Sequence, residues 1–420
     1  MDYEKKNSKI FKIWAVLSMK KKLSTVGVFA LICYAIFYVF TNWQDLLSET
    51  GEVMTLSISS DGKYVISANR GKTEKTWHDT KLVLWDINKR EKKIIAENVN
   101  SNTAYFIPDS HDFMWQGRDN VVHIQNVDGK ELESFKHFEI ARHIMSADRT
   151  FYASANQTGK IFKGYGENMV PIYTDIPIWN HYNFDLSDKY FLTASNGSTP
   201  ENAGAVQLNP TADPVQPSVY KKSSYDGVTL WDRETLKPVA RLWGFGGRSD
   251  ALFSPDGKWI VAGGENRRDY MWEVNNLQNR LELANAENGV LDIHTQTYDK
   301  SKLLPVPDKL KEKQLHSMSS TVTYAFLTET DFIQIKLAAS EDGNGQEIVS
   351  LYQAGDPWIK GYVEIGNNPT ISTDFFELSN SVASAPKAHI LVTGQAAHGG
   401  INVYRYHPDK MELEKIWVAY

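Results

Sequence analysis

Residues 54–97 read MTLSISSDGKYVISANRGKTEKTWHDTKLVLWDINKREKKIIAE, and this stretch decides the fold. It contains four short apolar runs separated by turn residues, which we assign as strands at Met54–Ile58, Tyr64–Ala68, Lys81–Trp85 and Lys92–Ala96. Asp61-Gly62 supplies the first turn, because Gly reaches positive φ freely and Asp hydrogen-bonds its own backbone. The stretch therefore predicts one four-stranded antiparallel unit.

The same pattern recurs along the rest of the chain. The acids of the corresponding turns are Asp61, Asp109, Asp148, Asp188 and Asp256. The first four are 48, 39 and 40 residues apart, and the 68 residues before the last leave room for an insertion. Four-stranded units repeating every 40–45 residues are typical of propeller blades, which bury their faces by stacking around an axis. We predict an all-β, seven-bladed propeller, with eight blades as the alternative.

Tryptophan-acid pairs close the third strand of several units. They are Leu84-Trp85-Asp86, Leu230-Trp231-Asp232 and Met271-Trp272-Glu273, and the turns Ser60–Lys63 and Ser254–Lys258 accompany them. On these residues, about nine-tenths of the chain resembles a WD-repeat β-propeller. A TolB-like propeller, which shares the Ser-x-Asp-Gly-Lys turn, is the alternative.

The chain lacks a Gly-His pair before any first strand, so we expect the buried His/Ser/Asp/Trp network of the family to be incomplete. The Trp residues should pack between blades, and the paired Asp should cap the following turn.

The N-terminal region carries an uncharged run of 21 residues, Leu23–Trp43. A helix of that length spans about 30 Å, the thickness of a bilayer core. Seven lysines precede the run, and Asp45, Glu49 and Glu52 follow it. By the positive-inside rule, the N-terminus stays in the cytoplasm and the remainder crosses the membrane. A buried core helix and a cleaved signal peptide are the alternatives, but the run is long for a signal peptide and lacks a small-x-small cleavage pattern.

We therefore divide the chain into a basic cytoplasmic tail (1–22), a transmembrane helix (23–43) and a propeller (44–420). We expect a single-pass protein of a bacterial inner membrane, with the propeller in the periplasm or otherwise outside the cytoplasm. The composition agrees with one membrane segment rather than many, because the mean hydropathy is −0.41.

Two insertions interrupt the predicted blades, at 196–224 and at 276–320. In a WD-type propeller, loops between strands two and three open on the same face as loops between blades. Exposed Trp, Phe and Arg are typical of binding hot spots. The sequence predicts a partner-binding face there, formed by Trp77, His78, Trp179, His181, Trp243, Phe245, Arg248, Arg267 and Arg268. The alternative is that these aromatic side chains pack under their own loops.

Motifs that carry chemistry are missing from the sequence. It contains no G-x-S-x-G, no P-loop and no H-E-x-x-H, and its one cysteine, Cys33, excludes a disulfide or multi-Cys metal site within the chain. Asp342-Gly-Asn344 resembles the start of a calcium loop but lacks the later glutamate, so we interpret it as a hairpin between second and third strands. A net charge of −6 argues against nucleic acid as a partner. We predict no cofactor and no metal.

The predicted function is a membrane-anchored module that binds another protein on the non-cytoplasmic side, for example within an envelope complex, without catalysis. The first alternative is an enzyme at the propeller mouth, such as a hydrolase, lyase or quinone-dependent dehydrogenase. A small-ligand-binding propeller and a purely structural propeller are the others.

Overall fold

The computed structural model describes most of the propeller and leaves the predicted membrane segment outside the described residues. It describes residues 48–76, 78–156, 160–165, 168–172, 179–196, 215–216, 228–242, 249–264, 269–285, 289–292, 297–308, 320–338, 346–367, 382–395 and 399–420. Within these ranges, no helix is long and apolar enough to cross a membrane. The compact unit that contains the blades runs from Thr50 to Ala419.

The first three blades are four-stranded antiparallel sheets. Blade one contains β1 (Val53–Ile58), β2 (Tyr64–Asn69), β3 (Lys81–Asp86) and β4 (Glu91–Glu97). Blade two contains β5 (Tyr105–Phe106), β6 (Asp112–Gln116), β7 (Val121–Asn126) and β8 (Glu131–Lys136). Blade three contains β9 (Ile140–Met145), β10 (Tyr152–Asn156), β11 (Ile161–Lys163) and β12 (Val170–Pro171).

Blades four and five carry additional elements. Blade four contains β13 (Trp179–Leu186), β14 (Tyr190–Asn196), β16 (Val228–Asp232) and β17 (Pro238–Leu242), and β15 (Val215–Gln216) adds a fifth strand beside β17. Blade five contains β18 (Ser249–Phe253), β19 (Trp259–Gly264), β20 (Asp269–Glu273) and β21 (Asn276–Glu282). A separate hairpin of β22 (Val290–Asp292) and β23 (Thr297–Asp299) follows blade five.

The last two blades complete the ring. Blade six contains β24 (Ser320–Phe326), β25 (Asp331–Ala338), β26 (Gln346–Gln353) and β27 (Asp356–Asn367). Blade seven contains β28 (Val382–Ala385), β29 (Ile390–Gly394), β30 (Ile401–His407) and β31 (Glu412–Ala419). The predicted all-β, seven-bladed propeller is confirmed, and the eight-bladed alternative is wrong. The fourth strand of blade five occupies Asn276–Glu282, inside the stretch predicted as an insertion, so the connection to blade six begins at Leu283.

Seven apolar clusters hold the described part of the ring together, one at each junction between neighbouring blades. The cluster between blades four and five, for example, joins Leu230 and Leu242 to Phe253 and Trp272. The cluster between blades seven and one joins Val392 and Val403 to Val65 and Trp85. Each blade alone would leave both faces in water, so burial at these junctions supplies the driving force for the ring.

The ring closes without exchange of a strand between its first and last blades. Blade one comes entirely from the N-terminal end of the propeller and blade seven from the C-terminal end. Val53 donates its backbone N–H to the carbonyl of Gln395 over 3.1 Å, and the Asn69 side chain donates to the carbonyl of Gly399 over 2.6 Å. Packing and a few polar contacts therefore join the two ends.

The repeated turns fold as their sequence predicts. In blade one, the Ser59 hydroxyl donates to Asp61 and accepts the backbone N–H of Tyr64, while Gly62 adopts a φ of 72°. In blade five, Ser254 makes the same two contacts with Asp256 and Trp259. These side chains replace the backbone partners that a tight turn lacks.

The tryptophan-acid pairs also behave as predicted. Trp85 and Trp231 are buried between their own blade and the preceding one. Asp86 accepts the backbone N–H of Lys89, and Asp232 accepts that of Thr235, so both acids cap the next turn.

The buried polar contacts that the resemblance implies are divided among blades. Trp85 Nε1 donates to Ser67 in blade one over 2.9 Å, and Trp231 Nε1 donates to Thr193 in blade four over 3.0 Å. In blade three the contact is instead between His137, which lies before the first strand, and Ser154 on the second, at 3.0 Å. Different blades thus keep different parts of the network.

Candidate binding face and central channel

The strand connections distinguish the two ends of the ring. Because neighbouring strands are antiparallel, connections from strand one to two and from three to four lie at one end, which we call the turn face. Connections from strand two to three and from blade to blade lie at the other end, which we call the insertion face. The turn-face connections contain between two and six residues. The insertion-face connections range from three residues (137–139) to 31 (197–227) and 37 (283–319). Connections longer than six residues therefore occur only on the insertion face.

The structure describes only part of the predicted partner-binding face. His78 is exposed in the connection between β2 and β3, and its carbonyl oxygen accepts a hydrogen bond from the Arg118 guanidinium over 2.5 Å. Trp179 and His181 lie in β13, which starts at the insertion face, and Trp179 pairs with Asn196. The other predicted residues are outside the described ranges: Trp77, Trp243, Phe245, Arg248, Arg267 and Arg268. Because six of the nine residues lie outside the described ranges, the predicted face stays a prediction.

A polar groove of about 440 Å³ lies on the insertion face between blades one, two and three. It is lined by Val99, Asn100, Ser101, Asn102, Gly117, Arg118, Asn120 and Glu139. The Asn100 side chain donates to Gln116 over 2.9 Å and to the carbonyl of Ile140 over 2.8 Å, which fixes the groove floor across two blades. The sequence prediction did not include this groove, because its residues lie in short polar loops without aromatic side chains.

A second cavity, of about 270 Å³, lies at the centre of the ring. All seven innermost strands, or the residues that directly precede them, contribute to its wall. We call it the central channel. Asn102 lines both the channel and the groove, so the two spaces meet at the insertion face.

Two carboxylates on innermost strands join neighbouring blades. Asp250 accepts hydrogen bonds from Asn183 of blade four over 2.9 Å and from Thr323 of blade six over 2.8 Å. Asp185 accepts the backbone N–H of Phe253 over 2.7 Å. Burial raises the pKa of Asp250, and burial together with the nearby Asp250 charge raises the pKa of Asp185 to about 7. Each of these two acids therefore joins neighbouring blades through hydrogen bonds, and we call Asp185 and Asp250 the clamps.

Two histidines between blades two and three are held in the neutral form. His143 Nε2 lies 2.8 Å from the Thr103 carbonyl, to which it donates, and Nδ1 lies 3.4 Å from the Tyr152 hydroxyl. Burial lowers the pKa of His143 to about 4 and that of His137 also to about 4. The protein interior therefore disfavours a positive charge at this junction. Among the described residues, no group of three His, Cys, Asp or Glu side chains is placed to hold a metal ion.

Comparison with known proteins identifies the fold. No protein-family model and no curated protein sequence matches the chain. A chain in the crystal structure of the mitotic checkpoint complex matches with a TM-score of 0.52 and 13% identity, over 84% of this chain and 86% of that chain. The β-propeller domain of Cps50 (Swd1) from Myceliophteria thermophila matches with a TM-score of 0.49 and 10% identity, over 84% and 96% of the two chains. At 13% identity, the likeness to the chain of the checkpoint complex concerns the fold alone.

Proposed function

We propose that this seven-bladed propeller is a protein-binding module whose insertion face holds the partner. The observation that carries the proposal is the confinement of long connections to that face. The turn-face connections never exceed six residues, whereas insertion-face connections reach 31 and 37. Extended surface loops on a rigid scaffold are where binding residues concentrate.

The described part of the insertion face supplies groups suited to recognition. Arg118 and the exposed Glu139 offer opposite charges in the groove between blades one, two and three. Inter-blade hydrogen bonds from Asn100 hold the residues of this groove in place. Binding of a partner would therefore cost little free energy for ordering these residues. In this proposal, the predicted aromatic and arginine residues on the same face supply the hot spots.

The proposal includes a membrane tether. Leu23–Trp43 would anchor the chain, with the basic residues 1–22 in the cytoplasm and the propeller on the opposite, periplasmic side. The partner would then be another protein of the same compartment, such as a member of an envelope complex. The seven lysines before the run and the acids after it support this orientation.

Binding is favoured over catalysis by the way the channel acids are used. Both oxygens of Asp250 accept hydrogen bonds from the protein, and Asp185 accepts the backbone N–H groups of Phe253 and Leu186. A general base needs an oxygen free to approach the proton that it removes. These two carboxylates are instead occupied in joining blades four, five and six.

The experiment is a crosslinking pull-down of the full-length protein from its own membranes. One variant replaces residues 198–223 with a short Gly-Ser linker and removes the insertion between β14 and β16. A matched control replaces residues 408–411, a turn-face connection, with Gly and Ser. We expect one protein partner to be captured by the wild type and the control and lost from the insertion variant. Equal capture by all three, or capture of no protein by the wild type, would contradict the proposal.

A further inference from the structure

The wall of the central channel contains hydrogen-bonding groups that the described protein leaves unused. Ser57 accepts the backbone N–H of Phe106, which leaves its hydroxyl hydrogen to donate. Asn183 donates both to Asp250 and to the carbonyl of Ala251, which leaves its side-chain oxygen to accept. Within the described residues, the side chains of Asn102 and Ser384 make no hydrogen bond. These four groups come from blades one, two, four and seven and line one cavity.

The same wall provides apolar surface between the polar groups. Leu56 and Tyr324 are buried beside the channel, and Leu252 lines it on blade five. An occupant therefore meets both hydrogen-bonding atoms and C–H surface. This mixture is typical of sites for small organic molecules.

The charged side chains of the channel wall do not favour a charged ligand. Arg142 contributes one positive charge, and the Asp250 carboxylate, which lies on the same cavity, contributes one negative charge. The oxygens of Asp250 are already engaged by Asn183, Thr323 and the backbone of Ala251. The two wall charges are of opposite sign, so a net-charged molecule would bring an unbalanced charge into the channel, which is costly.

We propose that the central channel binds a small, uncharged, polyhydroxylated molecule of about monosaccharide size. Hydroxyl groups both donate and accept, so they match the donor of Ser57, the acceptor of Asn183 and the two-way groups of Asn102 and Ser384. The volume of about 270 Å³ is below the usual range for drug-sized ligands and equals that of about nine water molecules. The ligand would enter from the insertion face beside Asn102. This site goes beyond protein binding at the rim and does not depend on it.

The test is saturation-transfer NMR on the full-length protein in detergent, with glucose, galactose, mannose and myo-inositol as probes. Gluconate and glutamate are added as charged probes of similar size. The test variant is Asn102→Ala with Ser384→Ala, because neither side chain supports the fold through a described hydrogen bond. The matched control is Asn88→Ala with Ser134→Ala, which makes the same chemical changes at exposed positions away from the channel.

We expect transfer to at least one uncharged probe in the wild type and in the control. Loss of two hydrogen bonds should weaken that binding roughly tenfold or more in the test variant. No transfer to any uncharged probe in the wild type would mean that water alone fills the channel and would overturn the proposal. Equal transfer in both variants, or transfer only to gluconate or glutamate, would overturn it as well. Circular dichroism of each variant verifies that the propeller remains folded.

Discussion

Asn183 on the innermost strand of blade four donates a hydrogen bond to Asp250 on the innermost strand of blade five, over 2.9 Å between Nδ2 and Oδ1. The other carboxylate oxygen of Asp250 accepts the hydroxyl of Thr323 from blade six, over 2.8 Å. One buried carboxylate therefore joins three consecutive blades beside the central channel. Apolar clusters supply the bulk of the inter-blade packing, and this contact adds a directional constraint on blade spacing.

Replacing Asp250 by Ala should lower the free energy of unfolding by about 3 kcal/mol, because hydrogen bonds to a charged group contribute about 1.5–3 kcal/mol each. The change also removes the acceptor of Thr323 and one of the two acceptors of Asn183. The measurement is urea denaturation of the full-length chain in detergent. Asp128→Ala, at an exposed position, is the control and should stay within about 0.5 kcal/mol of the wild type. An Asp250→Ala variant as stable as this control would show that the clamp contributes nothing.

Replacing Ser67 by Ala should destabilise blade one by about 1–3 kcal/mol. Ser67 is fully buried, accepts Trp85 Nε1–H over 2.9 Å and donates to Asn69 over 2.6 Å, so both partners lose a buried hydrogen bond. Thr193→Val is the counterpart in blade four, where the Trp231 Nε1–H would lose its acceptor. Both effects are measured by denaturant unfolding. If neither variant differs from the wild type, packing of the Trp rings alone stabilises these blades.

The blades were predictable from sequence because their signals are local. The Ser59–Tyr64 turn forms its hydrogen bonds within six residues, and most strands show their character in five to eight residues. The clamps were not predictable in this way. Asp185 and Asp250 are each the only acid in their strand, and their partners lie 68 and 67 residues away. An isolated acid in the first strand of a blade is the signal that could have identified them.

The candidate site was harder to predict than the fold for the same reason. The groove and the channel form only when loops from three blades, or strands from seven, are brought together. Ser57 and Ser384 are unremarkable in sequence and are separated by more than three hundred residues. The predicted face depended on exposed aromatic residues. Such residues indicate which loops have an unusual composition, but they do not indicate which loops lie next to one another in the folded protein.

Acidification should destabilise the junction between blades two and three. The folded state holds the pKa of His143 at about 4, below the ordinary value of about 6.5, so the unfolded chain binds the proton more readily between these values. The stability contributed by neutral His143 is therefore present above pH 6.5 and is lost as the pH falls toward 4. From pH 7 to pH 5 the loss from this residue is about 2 kcal/mol.

His143→Gln keeps a donor for the Thr103 carbonyl and removes the titration. Its free energy of unfolding should depend less on pH between 7 and 5 than that of the wild type. Asp185 provides a check of opposite sign. Its pKa is raised to about 7, so the stability that protonated Asp185 contributes to the folded state is lost as the pH rises through 7. The free energy of unfolding of Asp185→Asn, relative to that of the wild type, should therefore be higher at pH 8 than at pH 5. An unchanged pH profile in His143→Gln would contradict the assignment.

The proposed membrane tether leads to a prediction of how the protein fractionates. Full-length protein should remain in the membrane pellet after an alkaline carbonate wash, because a transmembrane helix formed by the uncharged 21-residue run would be held by the hydrocarbon core. A variant that starts at Gln44, expressed behind a cleavable export signal, should be released as soluble propeller. A wild-type protein found in the soluble fraction, with its N-terminus cut near Trp43, would instead support a cleaved signal peptide.

Replacing Trp243, Phe245 and Arg248 together by Ala should weaken binding of the partner at least tenfold, because Trp and Arg are enriched among hot-spot residues that each contribute 2 kcal/mol or more. The measurement is the affinity of the purified full-length protein for the partner captured by crosslinking. Leu132→Ala, Lys410→Ala and Met411→Ala together form the control, because they remove two exposed apolar side chains and one cation away from the insertion face. If the changes affect only the surface, both triple variants should unfold at the same denaturant concentration as the wild type. Full binding by the Trp243 triple variant would place the partner elsewhere on the propeller and leave these aromatic residues to pack under their own loops.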